Sequence, residues 1–246
     1  MTRKTALAFL AHPDDAEILC AGTIIRLAAT GWEIHIATAT AGDCGTTIHP
    51  PDVISEIRLK EARRSADLIG AHYHCLGEKD GLVVFDRGTI LKAAELFRSV
   101  SPTLVFTHAR SDYMMDHEIV SLLARSASFM YAAPNFVPGK LQPGTGVPYL
   151  YYCDPIEGID PLGQPVNPTT YVDVSAQMEM KVAMLSSHAS QREWLRAHHG
   201  MDEYLNSMRQ HSAARGSEIG VDAAEAFVQH RGHAYPSDDL LVELFG

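Results

Sequence analysis

The sequence has little cysteine, a deficit of basic residues and no long apolar run, and each shortage closes off a class of protein. Its 4 cysteines in 246 residues, Cys20, Cys44, Cys75 and Cys153, are scattered with no close pair. That argues against a disulfide framework and against a cysteine-ligated structural zinc. Lys and Arg number 20 against 30 Asp and Glu, a net charge of −10, and no basic run occurs. A chain that holds a phosphate backbone presents a basic face, so nucleic acid and anionic membrane surfaces are disfavoured as partners. The longest early apolar stretch, Ala6 to Ala11, is too short for a membrane span or a signal-peptide core and runs directly into Asp14, Asp15 and Glu17. A cytoplasmic protein without a membrane span is expected.

What is present is an ordinary globular composition, 46% hydrophobic and 20% charged, together with 13 histidines. If a metal ion is held, its ligands are therefore His and carboxylate. The length fits one α/β domain. Its first two thirds alternate short β-branched runs with segments of helical period, the signature of crossover units around a mostly parallel sheet. Strands are expected at Thr5 to Leu10, Glu33 to Thr40, His72 to Leu76 and Thr103 to Thr107. Between and after them come helices from Ala16 to Thr30, from an N-cap at Asp52 to Gly70, from Thr89 to Val100 and from Glu118 to Tyr131. Past Ala132 the residues Pro134, Pro138, Gly139, Pro143, Gly144, Gly146 and Pro148 break any helix, leading to a strand at Tyr149 to Cys153 and another at Tyr171 to Val174. From Ser175 the pattern is largely helical. The organisation expected is a single domain spanning 1–246, with a core over 1–132, a loop and strand insertion over 133–174 and a mostly helical part over 175–246.

The chemistry concentrates in two places. Ala11-His12-Pro13-Asp14-Asp15-Ala16-Glu17 stands where the first strand ends and the first helix begins, and ligands of open α/β sheets bind in the crevice beyond such strand ends. One His and three carboxylates beside an apolar strand are costly to desolvate unless paired or bound to a cation. An acidic helix start, with Asp14 or Asp15 capping, is the alternative reading. The loop after the fourth strand holds His108, Asp112, Tyr113, Asp116 and His117. Two strands that each deliver His and carboxylate to one rim match a His/His/carboxylate site with one position open to water.

With these residues in place the sequence resembles the PIG-L or LmbE-like metal-dependent N-deacetylases. His12-Pro13-Asp14-Asp15 is similar to the family's first motif and Asp116-His117 to its second. Thr40 to Gly45 is similar to Thr-x-Gly-Glu-x-Gly with Asp43 in place of Glu, Arg58 and Glu61 match an Arg-x-x-Glu pair, and Asp80-Gly81 matches an Asp-Gly. Lys181, His188-x-Ser190-Gln191 and Ala224-Glu225-x-Phe227 resemble its closing segments, so the likeness spans roughly residues 5 to 230. The resemblance implies an α/β, Rossmann-like, mostly parallel sheet flanked by helices, with a C-terminal β/helical extension. It implies one zinc ion per chain, other divalent metals being acceptable to such a donor set, on His12, Asp15 and His117, with Asp14 as general base. Arg58, Asp80, His108 and Asp112 are then candidates for binding substrate, and Trp194 could border a sugar site.

One departure matters. Many members read His-Pro-Asp-His in the second motif, and here the stretch is Met114-Met115-Asp116-His117. A thioether cannot donate a proton or hydrogen bond. The role moves or is dispensed with: zinc would supply part of the oxyanion stabilisation and Tyr113, His108 or His188 the rest, with His188 favoured because its segment resembles a family motif. The activity expected is removal of acetyl from an N-acetylated small molecule, of N-acetylglucosamine type, by metal-activated water. Two alternatives stay open: a metal-binding relative acting on another amide or serving as a binding module, and a nucleotide-binding enzyme. The second would set phosphate against carboxylates, since His-Pro-Asp-Asp stands where Gly-x-Gly-x-x-Gly should be. A homo-oligomer is compatible with the sequence, which does not determine one.

Overall fold

Hydrophobic period and turn chemistry produce the alternation described above. In the computed structural model, which describes residues 4–137, 144–199 and 203–246, β1 (Thr5–Leu10), β2 (Glu33–Thr40), β3 (His72–Glu78), β4 (Leu104–Thr107) and β5 (Tyr149–Cys153) run parallel. Pro138, Gly139 and Pro143 lie outside the described residues. Two further strands, β6 (Thr170–Asp173) and β7 (Ala224–Gln229), complete a 7-stranded sheet in the order β3-β2-β1-β4-β5-β7-β6, with β7 antiparallel to both neighbours. The protein is thus an α/β fold with a mostly parallel sheet flanked by helices. Central β1 is buried on both faces: Ala6, Ala8 and Leu10 enter one core, and Leu7, Phe9 and Ala11 the other. A parallel sheet covered on both sides demands such a continuous apolar run. Among the described residues no helix is long and apolar enough to cross a membrane.

Several boundaries differ from those expected, each for a tertiary or capping reason. The first expected helix divides into α1 (Asp15–Leu19) and α2 (Ala21–Ala29) at Cys20, whose φ of −145° and ψ of 8° leave the helical region. The backbone N–H groups of Gly22 and Thr23, orphaned at the start of α2, donate to Glu225 at 2.8 and 2.7 Å. Gly22 itself lies so close to β6's end that a Cβ would sit 2.5 Å from Val174. In α3 (Pro51–Asp67) Pro50 and not Asp52 is the N-cap; Pro51 occupies N1, where its missing N–H costs nothing, and Asp52 faces the dipole from the first turn. α4 (Arg87–Val100) begins two residues early because Asp86 and Thr89 form a capping box. α5 (Met115–Met130) begins three residues early.

The C-terminal part is less helical than expected. After α6 (Met178–Ser186), α7 (Ala189–His199) and α8 (Glu203–Ile219), the Ala224–Gln229 segment is strand β7 and inserts between β5 and β6, ahead of α9 (Leu240–Phe245). Alternate residues of β7 meet different neighbours: Phe227 enters the core, and Glu225 faces α2 and Lys181.

Candidate active site

Two loops at the carboxyl ends of adjacent parallel strands build the site. Beyond β1 the chain turns through His12-Pro13-Asp14-Asp15, and beyond β4 it leads to His117 in the first turn of α5. The first turn is tight enough to place Asp14 at φ 108°, a conformation costing a non-glycine residue of order 1–3 kcal/mol. Neighbours hold it there: Asp15 accepts the His12 backbone N–H at 2.7 Å, Tyr204 donates its hydroxyl to Asp14 Oδ2 at 2.7 Å, and Arg58 donates to the Pro13 carbonyl at 3.1 Å.

His12, Asp15 and His117 bring one donor atom each within 4.8 Å of the others, and all three are buried. His12 Nδ1 stands 3.4 Å and His117 Nε2 3.8 Å from the Asp15 carboxylate. The outer nitrogens have partners of their own. His12 Nε2 lies 3.1 Å from Asp80 Oδ1 and 3.3 Å from Asp116 Oδ2, and His117 Nδ1 lies 2.9 Å from Asp112 Oδ1. Protons on those outer nitrogens leave lone pairs on His12 Nδ1 and His117 Nε2, both aimed at the space beside Asp15. Carboxylates behind imidazoles orient and strengthen metal-ligating histidines in this way.

The supporting acids are anchored in turn. Asp116 accepts the N–H groups of Gly81 and Val83 at 2.8 and 3.2 Å, and Asp43 accepts that of Asp80 at 2.9 Å. Five aspartates, Asp14, Asp15, Asp80, Asp112 and Asp116, are each at least nine-tenths buried here. Burial disfavours a charged His12, yet hydrogen bonds to Asp116, Asp15 and Asp80 outweigh it and push that imidazole up to about 12. This is a cradle built for positive charge. Among the described residues, this donor set fits a divalent transition ion.

A cleft of about 500 Å³ opens on the cradle. Its lining includes Asp14, Arg58, Tyr113, Met114, Trp194 and Tyr204. Arg58 is buried, its terminal nitrogens donating to the Gly42 and Pro13 carbonyls and lying 3.6 Å from Asp14, while its Nε is buried without a hydrogen-bond partner among the described residues. Gly42, at φ 70°, leaves room for it: a Cβ there would sit 2.2 Å from Arg58 Nη1.

The residues expected to bind substrate divide. Asp80 and Arg58 line the cleft, whereas His108 and Asp112 do not. Asp112 is turned onto His117, and His108, fully buried, stacks on the His117 ring at 3.8 Å with its Nε2 3.0 Å from Asp15. Asp112 is taken up as the partner of His117 Nδ1, and His108 by the His117 ring and Asp15. Of the expected donors, Tyr113 stands edge-on to His117 at the rim, 67% exposed. His188 is outside the lining, buried with its Nε2 3.0 Å from Glu17. Trp194 borders the cleft. Sequence reading gave no signal for Tyr204, which reaches Asp14 across 190 positions.

Residues 7–128 match the family described as PIG-L: GlcNAc-PI de-N-acetylase. The chain is similar to the 4-oxalmesaconate hydratase of Pseudomonas putida, 25% identical over 94% of this chain and 88% of the relative. It is also similar to the 1D-myo-inositol 2-acetamido-2-deoxy-alpha-D-glucopyranoside deacetylase of Kineococcus radiotolerans, 25% identical over 74% of this chain and 67% of the relative. Its fold resembles the N,N'-diacetylchitobiose deacetylase of Pyrococcus horikoshii with a TM-score of 0.78, 25% identity and coverage of 97% of this chain and 89% of that one. The matched family segment contains His12, Asp14, Asp15 and His117, and the likeness of fold extends over nearly all the rest: the chain belongs to the PIG-L family of LmbE-like enzymes.

Proposed function

We propose that the protein is a zinc-dependent N-deacetylase acting on an N-acetylglucosamine-type sugar or conjugate. The observation that carries this reading is Asp14, a buried carboxylate lining the cleft beside the His12, Asp15 and His117 donors yet outside that set. Zinc held by those donors would supply a Lewis acid and lower the pKa of a water towards ~7. Asp14 takes the proton from the attacking water and returns it to the leaving amine. Tyr204 and Arg58 both engage Oδ2, so Oδ1 is the oxygen assigned to that water. Burial raises the pKa of Asp14, as does the negative charge of Asp15, while Arg58 opposes the shift. A raised pKa suits a group that must hold a proton between two transfers. Tyr113, at the rim, is assigned the donor role left vacant by Met114, with Asp80 and Trp194 facing the sugar.

Hydration of an unsaturated carboxylate is the second reading, favoured by Met114 and by the likeness to a hydratase. The lining speaks against it. Among the described lining residues Arg58 is the one Lys or Arg; its terminal nitrogens are committed to two carbonyls and Asp14, and its Nε is buried. Apart from the metal itself, an anionic substrate would meet Asp14, Asp15 and Asp80 with no uncommitted lysine or arginine in the described lining, whereas a neutral acetamido sugar would not be repelled by them. The test is acetate release from a panel of N-acetyl sugars and N-acetyl amino compounds by the zinc-loaded enzyme. Wild type should turn over a glucosamine-type member, and Asp14→Asn should lower kcat by roughly 10²–10⁴-fold with zinc content unchanged. Zinc binding without acetate release from any member would sink the deacetylase reading.

A further inference from the structure

A second donor group lies at the opposite end of the sheet. Glu33 and His35 of β2 and His72 and His74 of β3 project from neighbouring parallel strands, with His35 opposite His72 in register. Residues two apart leave the same face of a strand, and the ring contacts place all three imidazoles together: His35 to His72 at 4.9 Å and His35 to His74 at 5.1 Å between centroids. These are the amino ends of the strands, whereas the cleft is at the carboxyl ends. The length of β2 separates the two by roughly 25 Å.

We propose that Glu33, His35 and His72 form a second site for a divalent transition metal ion, with His74 orienting His35. The Nε2 atoms of His35 and His72 converge on one oxygen, Glu33 Oε1, at 3.6 and 3.5 Å. Tetrahedral coordination with bonds of about 2.0–2.1 Å places ligand atoms roughly 3.4 Å apart, so the two histidine–carboxylate spacings need adjustment of only tenths of an ångström. One donor atom from each of the three lies within 4.8 Å of the others.

The hydrogen-bond pattern points the same way. His35 Nδ1 and His74 Nε2 are 2.8 Å apart, a contact that requires a proton on one and a lone pair on the other. With the proton on His35 Nδ1, its Nε2 presents a lone pair towards Glu33, the outer-partner arrangement that fixes the tautomer of a ligating histidine. Glu33 and His35 are largely buried and the His72 side chain is 58% exposed, so an ion has a path in and a coordination position open to water. An ion here would clamp β3, the edge strand, to β2.

Zinc alone is the probe. The chain is stripped with chelator and dialysed against Zn²⁺, and bound metal is counted. Wild type should bind two equivalents, His72→Ala and the conservative Glu33→Gln one each, His117→Ala one, and the His72→Ala/His117→Ala double variant none. His72 is an exposed edge residue, and circular dichroism checks that the variants fold. Retention of wild-type stoichiometry by both His72→Ala and Glu33→Gln would overturn the proposal, as would loss of all zinc in His117→Ala. One equivalent in wild type and none in His72→Ala would uphold it while removing the zinc from the cleft reading.

Discussion

Asp14 and Asp15 are neighbours of identical chemistry that the fold drives in opposite directions. Burial raises both; Asp15 is then lowered well below the usual range by the His108 and His117 imidazoles, whereas Asp14 ends raised, next to the like charge of Asp15 and only partly relieved by Arg58. On the proposed mechanism, carboxylates pushed apart in this way would serve one as a metal ligand and the other as a base. Tyr204 has a testable part in it. Its hydroxyl donates to the Asp14 carboxylate and so favours the ionised form. A base works unprotonated, so turnover falls as pH drops through its pKa; without Tyr204 that pKa rises. Tyr204→Phe should therefore move the acidic limb of the kcat profile to higher pH, with zinc content unchanged and the plateau within a few-fold of wild type. An unmoved limb would show that Asp14 is not the titrating base. The sequence carried no mark of this contact, since nothing local to Tyr204 distinguishes it from a core aromatic. His12, Asp14, Asp15 and His117 were legible because chemistry-bearing residue types crowd a strand end.

At the scale of elements, the start of α2 depends on β7. Glu225 accepts N–H from Gly22 and Thr23, the Thr23 hydroxyl at 2.6 Å, and the ammonium of Lys181 at 2.6 Å, and Lys181 is wholly buried. One carboxylate thus caps a helix, fastens α6 and closes the sheet against both. Glu225→Leu would leave a buried ammonium unpaired and two helix donors unsatisfied, an expected loss of about 3–5 kcal/mol in urea unfolding. Adding Lys181→Met should restore much of it, because the uncompensated charge is the larger part of the penalty. A loss under about 1 kcal/mol in the single variant would show that water reaches Lys181. The same contact explains why one continuous helix was expected where two are found: Cys20 is unremarkable in a helix by propensity, and the break follows from a cap some 200 residues away.

For the whole molecule, a net charge of −10 is distributed unevenly, with five buried aspartates around one cradle. His12 and Arg58 offset part of that charge, and a cation held in the proposed site would offset more, which would link metal binding to folding. At free zinc about a hundredfold above Kd, one site adds about 2.7 kcal/mol to stability. For a domain of this length that is a rise in Tm of roughly 5–10 °C. His117→Ala should lose the cleft's share of this rise and keep the rest, and an equal response in both proteins would place the stabilising ion elsewhere. Differential scanning fluorimetry with and without zinc reads this directly.

The sequence by itself determined the parallel order of alternating strands and helices, and it marked the two acidic, histidine-bearing loops at strand ends. Both are local properties: apolar period sets the element, and residue type sets the chemistry available at its end. Only the tertiary structure decided partners. Placing β1 beside β4 brings Asp15 to His117 and His108, and placing β7 beside β5 carries Glu225 to α2. It also turned Asp112 onto His117 and seated Tyr204 on Asp14. Apart from Asp112 and His117, five positions apart, these contacts join residues roughly 90 to 200 positions apart, and no local pattern encodes them, because strand order is chosen by how the whole chain buries its apolar faces at once.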